Sequence, residues 1–329
     1  MWIPFKKSSS QLMNHAVNDD PKQSQALLNQ IVCEYFLDQK RKRRWRLVRR
    51  ITLFILILIV IGLFIYGRVE ESVARSKPHV GIIDIKGEIM DGQTSSADTL
   101  MKGLTNAYET KGLKAVIFRI DSPGGSPVQA DYMYNTIRYF HQKYPDVKTY
   151  AVCADICASA AYYAASAADE IYANPSSLVG SIGVVFDGFG FVDTMQKLGV
   201  TRRLETAGRN KGFMDQFSPV NPEQEKDLQD MLSLIHQQFI NQVKAGRGNR
   251  LKIDDETFSG LIWTGVQAKE RGLIDGFASS GQLLRDVIKI EQAVDYTEKH
   301  SVLEQVANKF GSAIVNQLPL ALGIRQGIH

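Results

Sequence analysis

Apolar and polar positions divide the chain into two parts with different patterns. Residues 51–67, ITLFILILIVIGLFIYG, form an unbroken apolar run without a charge. From His79 onward, short apolar runs alternate with longer segments in which apolar residues recur at helical spacing. This alternation is typical of βα units around a largely parallel sheet. The pattern therefore predicts an α/β domain preceded by one long apolar helix.

The second part can be divided into individual elements. Buried strands are predicted at 80–90, 115–125 and 149–153, strand and loop at 171–185, and helices at 131–144, 159–168, 191–199 and 221–246. The last helix has the clearest signals, with Asn221 at its cap and Pro222 at its first position. No segment repeats, so one copy of the domain is expected per chain. In the tail, apolar positions between 302 and 314 have helical spacing, and they could pack on the domain, on another subunit or on a membrane.

The apolar run and the charges before it predict a membrane anchor. A helix over residues 51–67 would cover about 26 Å at about 1.5 Å per residue, near the lower limit for spanning a bilayer. Residues 40–50 hold eight Lys/Arg and no acid, and the positive-inside rule places such a segment in the cytoplasm. A buried globular helix, a cleavable signal and a nucleic-acid-binding patch are alternatives. The apolar run starts fifty residues into the chain and exceeds an ordinary signal core, which favours an uncleaved anchor,. The abutment of the basic and apolar runs favours a topology signal over a nucleic-acid partner.

Composition adds two limits. The net charge is +4, but residues 1–50 alone hold eleven Lys/Arg against four Asp/Glu, so the basic character is local. The three cysteines, Cys33, Cys153 and Cys157, are too few for a disulfide framework and form no CxxC pair,. They are expected to be free or packing thiols.

Two segments could carry nucleophilic chemistry. Ser159 lies among small residues in DICASAAYYAAS, between a strand-like and a helix-like run, where backbone N–H groups of a helix start would point outward,. The turn DSPGG, residues 121–125, ends an apolar strand and offers unobstructed glycine N–H groups to an oxyanion,. Taken alone, Ser159 could simply cap a helix, and the glycine turn could be an ordinary turn.

A serine nucleophile needs a base, and no histidine is an obvious one. His141 and His236 fall within predicted helices, and the other four lie before the domain, at its start or in the tail. A lysine can act as the base where burial and a lack of anionic neighbours favour its neutral form. Lys211 follows a strand-like run and a glycine, although by itself it reads as a surface lysine. No HExxH or clustered His/Asp/Glu set indicates a metal, and no cofactor is implied.

Four motifs in fixed order change this picture. DSPGGSP, ASAAYYAASAADEIYANPSSLVGSIGV, ETAGRNKGFMDQFSPVNPEQ and IWTGVQAKERGLIDGFAS resemble the motifs of signal peptide peptidase A proteases over residues 80 to about 290. The resemblance implies that Ser159 is the nucleophile and Lys211 the general base. It also implies an oxyanion hole from Gly124, Gly125 and Ala160, and an accessory role for Ser181 beside the lysine. Many members have glycines where this chain has Ala160 and Ala161, which could narrow the substrate groove.

The same resemblance implies a Clp-protease/crotonase-like βα spiral of the short, single-copy type. Longer members carry two related halves that supply the serine and the lysine, so a single-copy chain is expected to form a homo-oligomeric ring. The expected organisation is a basic cytoplasmic segment (1–50), a transmembrane anchor (51–67), a linker (68–79), the peptidase domain (80–292) and a C-terminal tail (293–329).

The function expected from this organisation is a single-pass inner-membrane endopeptidase with its N-terminus in the cytoplasm and its catalytic domain outside. Its substrates would be signal peptides and similar apolar peptides, cleaved through a Ser-Lys dyad and an acyl-enzyme, with the bilayer as its other partner. An acyl-CoA enzyme of the crotonase fold and a catalytically inactive membrane scaffold are the competing interpretations.

Overall fold

The computed structural model describes residues 21–298. The chain divides between Glu71 and Ser72 into two compact units. The first described element is helix α1, Pro21–Ser76, which contains the whole apolar run and the basic run before it. Among the described residues, no helix meets the combined length and hydropathy expected of a membrane span.

The second unit contains eight strands and seven further helices among the described residues. The strands are β1 (His79–Lys86), β2 (Leu113–Ser122), β3 (Lys148–Ala158), β4 (Glu170–Ala173), β5 (Leu178–Gly180), β6 (Ile262–Thr264), β7 (Gly276–Phe277) and β8 (Ala293–Asp295). The helices are α2 (Ala97–Tyr108), α3 (Pro127–Lys143), α4 (Ala160–Ala165), α5 (Val192–Lys197), α6 (Pro222–Arg247), α7 (Gly265–Glu270) and α8 (Ser280–Gln282). A 3-10 turn, Gly248–Arg250, follows α6, and a π-helical segment, Leu283–Ile288, follows α8.

The strands form one sheet in the order β6-β5-β3-β2-β1-β8, with β4 and β7 branching from β3. All pairings are parallel except β5 with β6. Helix α2 connects β1 to β2 and helix α3 connects β2 to β3, as parallel neighbours require. The α/β prediction is confirmed, and βα crossovers join the neighbouring strands β1, β2 and β3.

Strand β3 changes partner along its length. Its first half pairs with β4 from Tyr150 to Cys153, and its second half pairs with β5 from Ile156 to Ala158. Between these halves the register with β2 shifts, because three residues of β3 lie opposite Asp121 alone. Such an irregularity re-aims the strand end and commonly occurs beside active sites. Here it directs the end of β3 toward β5 and the serine that follows.

The sheet is buried on both faces, which explains the continuous apolar runs of β1 and β2. The larger core cluster includes Phe118 on β2 and Leu104 on α2. The other face carries a smaller cluster around Ile117, Tyr150 and Leu283. Alternate residues of β2 therefore serve opposite faces, as the twofold period of a strand dictates.

A buried ion pair fixes the end of helix α6. The Arg247 side chain is fully buried and donates two hydrogen bonds to the Asp275 carboxylate, at 2.7 and 2.9 Å. Asp275 also accepts the Ile171 N–H at 2.7 Å, and Arg247 donates to the Gly272 carbonyl at 3.0 Å. Burial raises the pKa of Asp275, but the hydrogen bonds and charge of Arg247 outweigh it, so the pKa lies below its ordinary value,. The pair ties α6 to the segments around β4 and β7.

Several elements differ from those expected from the sequence. Helix α2 has no counterpart among the predicted elements. Strand β8 pairs with β1, and the Tyr296 hydroxyl lies 2.8 Å from Nε2 of the buried His79, so the sheet extends beyond the domain end predicted at residue 292. The helical spacing between 302 and 314 lies outside the described residues.

Candidate active site

Ser159 stands at a sharp turn between a strand and a helix. Strand β3 ends at Ala158 and α4 begins at Ala160, so the serine alone makes the change of direction. Its backbone has φ 54° and ψ −125°, a conformation that residues with a β-carbon rarely adopt,. Holding it costs about 1–3 kcal/mol, and such strain concentrates at functional residues. A serine on a strained strand-to-helix turn is the geometry of an exposed nucleophile.

The strained backbone is held by strand β5. The Ser159 N–H donates to the Gly180 carbonyl at 2.8 Å, directly after Ala158 pairs with Gly180 in the sheet. Gly180 has φ +105°, and a β-carbon there would meet the Trp263 ring at 2.8 Å. The Ser159 side chain is half-buried and makes no helix-capping hydrogen bond within the described structure. The capping role considered from the sequence is therefore not the one this hydroxyl has.

The glycine turn after β2 lies against this serine. A β-carbon on Gly124, where φ is +111°, would lie 2.7 Å from Ser159 Cβ and 3.0 Å from the Ala160 nitrogen. At Gly125, where φ is +147°, a β-carbon would overlap the Ile89 backbone. Only glycine allows both approaches, so the turn brings backbone N–H groups beside the candidate nucleophile.

The three expected oxyanion donors differ in what their N–H groups already bind. The Gly124 N–H donates to Ser122 Oγ at 3.2 Å. Gly125 forms an isolated parallel bridge with Ile89, in which the flanking residues make the hydrogen bonds, so its own N–H points away from Ile89,. Ala160 is the first residue of α4, whose N–H lacks an intrahelical acceptor,. Gly125 and Ala160 are thus the better-placed donors.

Ser159, Gly125 and Ala160 all line a cavity of about 690 Å³. Its walls are largely apolar and come from α3, α4, α6 and the loops after β5 and before β6. The lining side chains include Val128, Ala130, Tyr132, Tyr163, Ile235 and Phe239. A cavity of this size admits one or two amino-acid side chains beside the serine.

Ser181 is brought to the same cavity. It also has a positive φ, 52°, and its N–H donates to the Leu261 carbonyl at 2.8 Å. His236 of α6 contacts the next residue, with Nε2 at 3.0 Å from the Ile182 carbonyl. Since a carbonyl only accepts, Nε2 carries the proton in this contact. His236, for which no catalytic role was expected, therefore holds the turn that presents Ser181.

Lys211 lies elsewhere in the same unit. It is exposed, it sits in a turn where its N–H donates to the Gly208 carbonyl at 3.1 Å, and it is not among the described residues that line the Ser159 cavity. The surrounding segment, residues 183–221, contains only the short helix α5 and carries exposed apolar side chains. These include Val185, Phe186, Phe189, Leu198, Val200 and Val220. One chain thus brings Ser159, Ser181 and the glycines together, but not Lys211.

Two further residues shape the site without having been expected from the sequence. Asp131 and Tyr163 line the cavity, and the Tyr163 hydroxyl donates to the Asp131 carboxylate at 2.7 Å. The helix predicted from residue 131 in fact begins at Pro127, capped by Ser126. Ser126-Pro127 is itself a helix-start signal, and it would have placed Asp131 in the second turn, near the glycine turn.

A serine on a strained turn, glycine N–H groups beside it and an adjacent apolar cavity are features found together in α/β hydrolytic enzymes. Residues 141–294 match the model of peptidase family S49. A Synechocystis sp. protein whose name describes it as a protease is 30% identical over 200 residues, which cover 61% of this chain and 70% of that protein. The chain therefore belongs to peptidase family S49.

Two other relatives are longer than this chain. The chloroplastic serine protease SPPA of Arabidopsis thaliana is 31% identical over 208 residues, 63% of this chain and 30% of that protein. A Brucella abortus protein named Na(+)/H(+) antiporter NhaA is 42% identical over 214 residues, 63% of this chain and 28% of that protein. The chain spans less than a third of the length of either relative.

Proposed function

We propose that this peptidase is a membrane-anchored serine endopeptidase that cleaves signal peptides and similar apolar peptides with Ser159 as nucleophile and Lys211 as general base. The observation that carries the proposal is the position of Ser159. Its side chain makes no capping hydrogen bond in the described structure, its backbone is strained, and it opens on an apolar cavity beside the Gly125 and Ala160 N–H groups.

In the proposed mechanism, Lys211 carries a proton from Ser159 to the leaving amine. Neutral Lys211 accepts the Ser159 proton as Oγ attacks the peptide carbonyl, and the Gly125 and Ala160 N–H groups bind the oxyanion. Collapse of the tetrahedral intermediate breaks the C–N bond, and the lysine returns its proton to the leaving amine. Water then attacks the acyl-enzyme by the same route. Gly124 contributes close approach to Ser159, and Ser181 is the candidate partner for the lysine ammonium.

The base is proposed to come from a neighbouring copy of the chain. Lys211 is exposed outside the cavity, and the segment around it presents apolar side chains to solvent, an arrangement that marks interaction surfaces,. If the contact repeats head to tail with rotation, it closes a homo-oligomeric ring. Each Ser159 would then meet Lys211 of the next subunit.

The substrate class follows from the cavity and the proposed location. Apolar walls favour apolar side chains next to the cleaved bond, as in signal peptides,. The uncharged run 51–67 and the basic run 40–50 support a single-pass anchor in the inner membrane, with the N-terminus in the cytoplasm and the peptidase domain outside,. The bilayer is then the second partner.

One experiment tests the catalytic proposal. The full-length protein, in detergent micelles, should react with a fluorophosphonate probe and cleave an apolar peptide, and Ser159→Ala should lose both activities. Ser233→Ala on α6, where the exposed hydroxyl contacts only its own helix backbone, is the matched control and should keep both. Unchanged cleavage by Ser159→Ala would exclude this serine. If the wild type neither reacts with the probe nor cleaves the peptide, the alternative of a catalytically inactive membrane scaffold would be favoured.

A further inference from the structure

The Ser159 cavity contains a single charged side chain among its lining residues. Its other polar members are serines, Gln238 and two tyrosines, Tyr132 and Tyr163, all uncharged, whereas Asp131 brings a carboxylate. Asp131 lies on helix α3, in the turn after Pro127. The cavity that receives substrate side chains next to the nucleophile therefore has a negative charge in an otherwise apolar wall.

The surroundings of Asp131 leave its charge unbalanced. Its Oδ1 accepts from the Tyr163 hydroxyl at 2.7 Å and its Oδ2 accepts from Asn135 Nδ2 at 2.9 Å. Both donors are neutral, and burial, followed by the hydrogen bond to Asp131, raises the pKa of Tyr163, which keeps the phenol protonated. No Lys, Arg or His forms an ion pair with Asp131 in the part of the chain that the structure describes.

The two hydrogen bonds fix the carboxylate without using its full capacity. A carboxylate has about four lone-pair positions, so acceptor sites remain after Tyr163 and Asn135 have donated. The apolar walls from Val128, Tyr132 and Phe239 lower the local dielectric, which strengthens the attraction of any cation that enters,. A side chain with an apolar stem and a positive end is complementary to both features, as Lys and Arg side chains are.

We propose that Asp131 makes the cavity a subsite for a lysine or arginine side chain of the peptide substrate. The aliphatic stem would lie along the apolar walls and the charged end would bind the free lone pairs of Asp131. This inference rests on the proposed function of Ser159, since it assigns the substrate of the same site. The preferred substrates are therefore apolar peptides that carry a basic residue near the cleaved bond.

The test compares charged residues with neutral ones of the same shape. The host peptide is apolar, and the four residues before the cleaved bond are varied one at a time. Each position carries arginine or its neutral counterpart citrulline, and lysine or its neutral counterpart norleucine. At one position the wild type should show kcat/KM at least tenfold higher for the basic residue. Asp131→Asn, which still accepts from Tyr163, should bring that ratio close to one. Asp146→Asn, an exposed carboxylate in the loop before β3, should leave the ratio unchanged.

Binding separates this inference from the catalytic proposal. Ser159→Ala, with Asp131 intact, should bind the arginine peptide at least tenfold more tightly than the citrulline peptide by fluorescence anisotropy. The double variant Ser159→Ala, Asp131→Asn should lose that difference. A ratio near one at every position in the wild type, or an unchanged ratio in Asp131→Asn, would overturn the assignment while leaving the peptidase intact. If Ser159→Ala binds the arginine peptide more tightly but the wild type cleaves no peptide, the result would count against the Ser159 mechanism alone.

Discussion

Gly124 lies so close to Ser159 that a β-carbon on the glycine would stand 2.7 Å from the serine β-carbon. The same atom would lie 3.0 Å from the Ala160 nitrogen. The glycine turn and the nucleophile turn, 35 residues apart in sequence, are therefore built as one unit. Any side chain at Gly124 must displace the serine, the candidate oxyanion donor or both.

Gly124→Ala is expected to reduce kcat/KM by about 10²-fold or more, the order lost when an oxyanion donor is removed. Gly92→Ala is the matched control, because Gly92 also has a positive φ, +73°, but its added β-carbon meets nothing within 4 Å. The control should lose some stability and keep its activity. Both kcat/KM and Tm are measured for the two variants. Equal losses of activity would mean that backbone strain at the glycine, rather than contact with Ser159, is responsible.

His236 is expected to act as a positioning residue for the Ser181 turn. His236→Leu removes the donor to the Ile182 carbonyl and should lower kcat/KM by about tenfold, roughly the value of one hydrogen bond,. His236→Gln can still donate and should restore most of the loss. Gln237→Leu, an exposed neighbour on α6, serves as control. The values of kcat and KM are measured separately for each variant. If His236→Gln is as impaired as His236→Leu, His236 acts only through packing.

Features of this protein that depend on a few neighbouring residues can be predicted from the sequence, whereas features that depend on distant contacts cannot. Helix α6 was recognisable because Asn221 and Pro222 are local signals, and the capping hydrogen bond of Asn221 is present at 2.9 Å. The SPGG turn was recognisable for the same reason. The burial of Arg247 was not, since a basic residue beside glycines reads as exposed and its partner Asp275 lies 28 residues away.

Other features depend on contacts that no local pattern records. The strained turn at Ser159 is held by a hydrogen bond to Gly180, and Asp131 becomes part of the site only when α3 packs against α4. The roles of Ser159, Lys211 and the glycines came from the order of four motifs. They remain predictions, since a single chain brings only some of these residues together.

The buried ion pair gives a stability prediction. Arg247→Met should destabilise the domain by about 3–5 kcal/mol at neutral pH, because it leaves the Asp275 carboxylate without its main partner,. Arg209→Met should cost under about 1 kcal/mol, since the Arg209–Glu223 pair is exposed,. Both are measured by urea unfolding of the full-length protein. Similar losses in the two variants would contradict the structural role of the buried pair.

The pH dependence of that loss has a definite sign. Because the folded state lowers the pKa of Asp275, its contribution to stability is present above the unfolded-state pKa and is lost as pH falls through the folded-state pKa,. In Arg247→Met the carboxyl can take up a proton more readily. The stability difference between wild type and variant should therefore shrink from pH 7 toward pH 3. A difference that stays constant with pH would exclude the ion pair as its cause.

The arrangement of Ser159 and Lys211 gives the last prediction, which concerns assembly. Ser159 lines the cavity, whereas Lys211 is exposed in a separate turn within a segment that presents apolar side chains. If the base is supplied by a neighbouring copy, then Ser159→Ala and Lys211→Ala are each inactive alone. When the two variants are mixed under conditions that exchange subunits, some interfaces join an intact serine to an intact lysine, and part of the activity should return.

The control is Lys197→Ala, which changes an exposed lysine on α5 and should be fully active alone. Exchange is verified by energy transfer between differently labelled subunits. If exchange is complete and no activity returns, both residues must act within one chain, and the segment around Lys211 must then move toward the cavity to form the site.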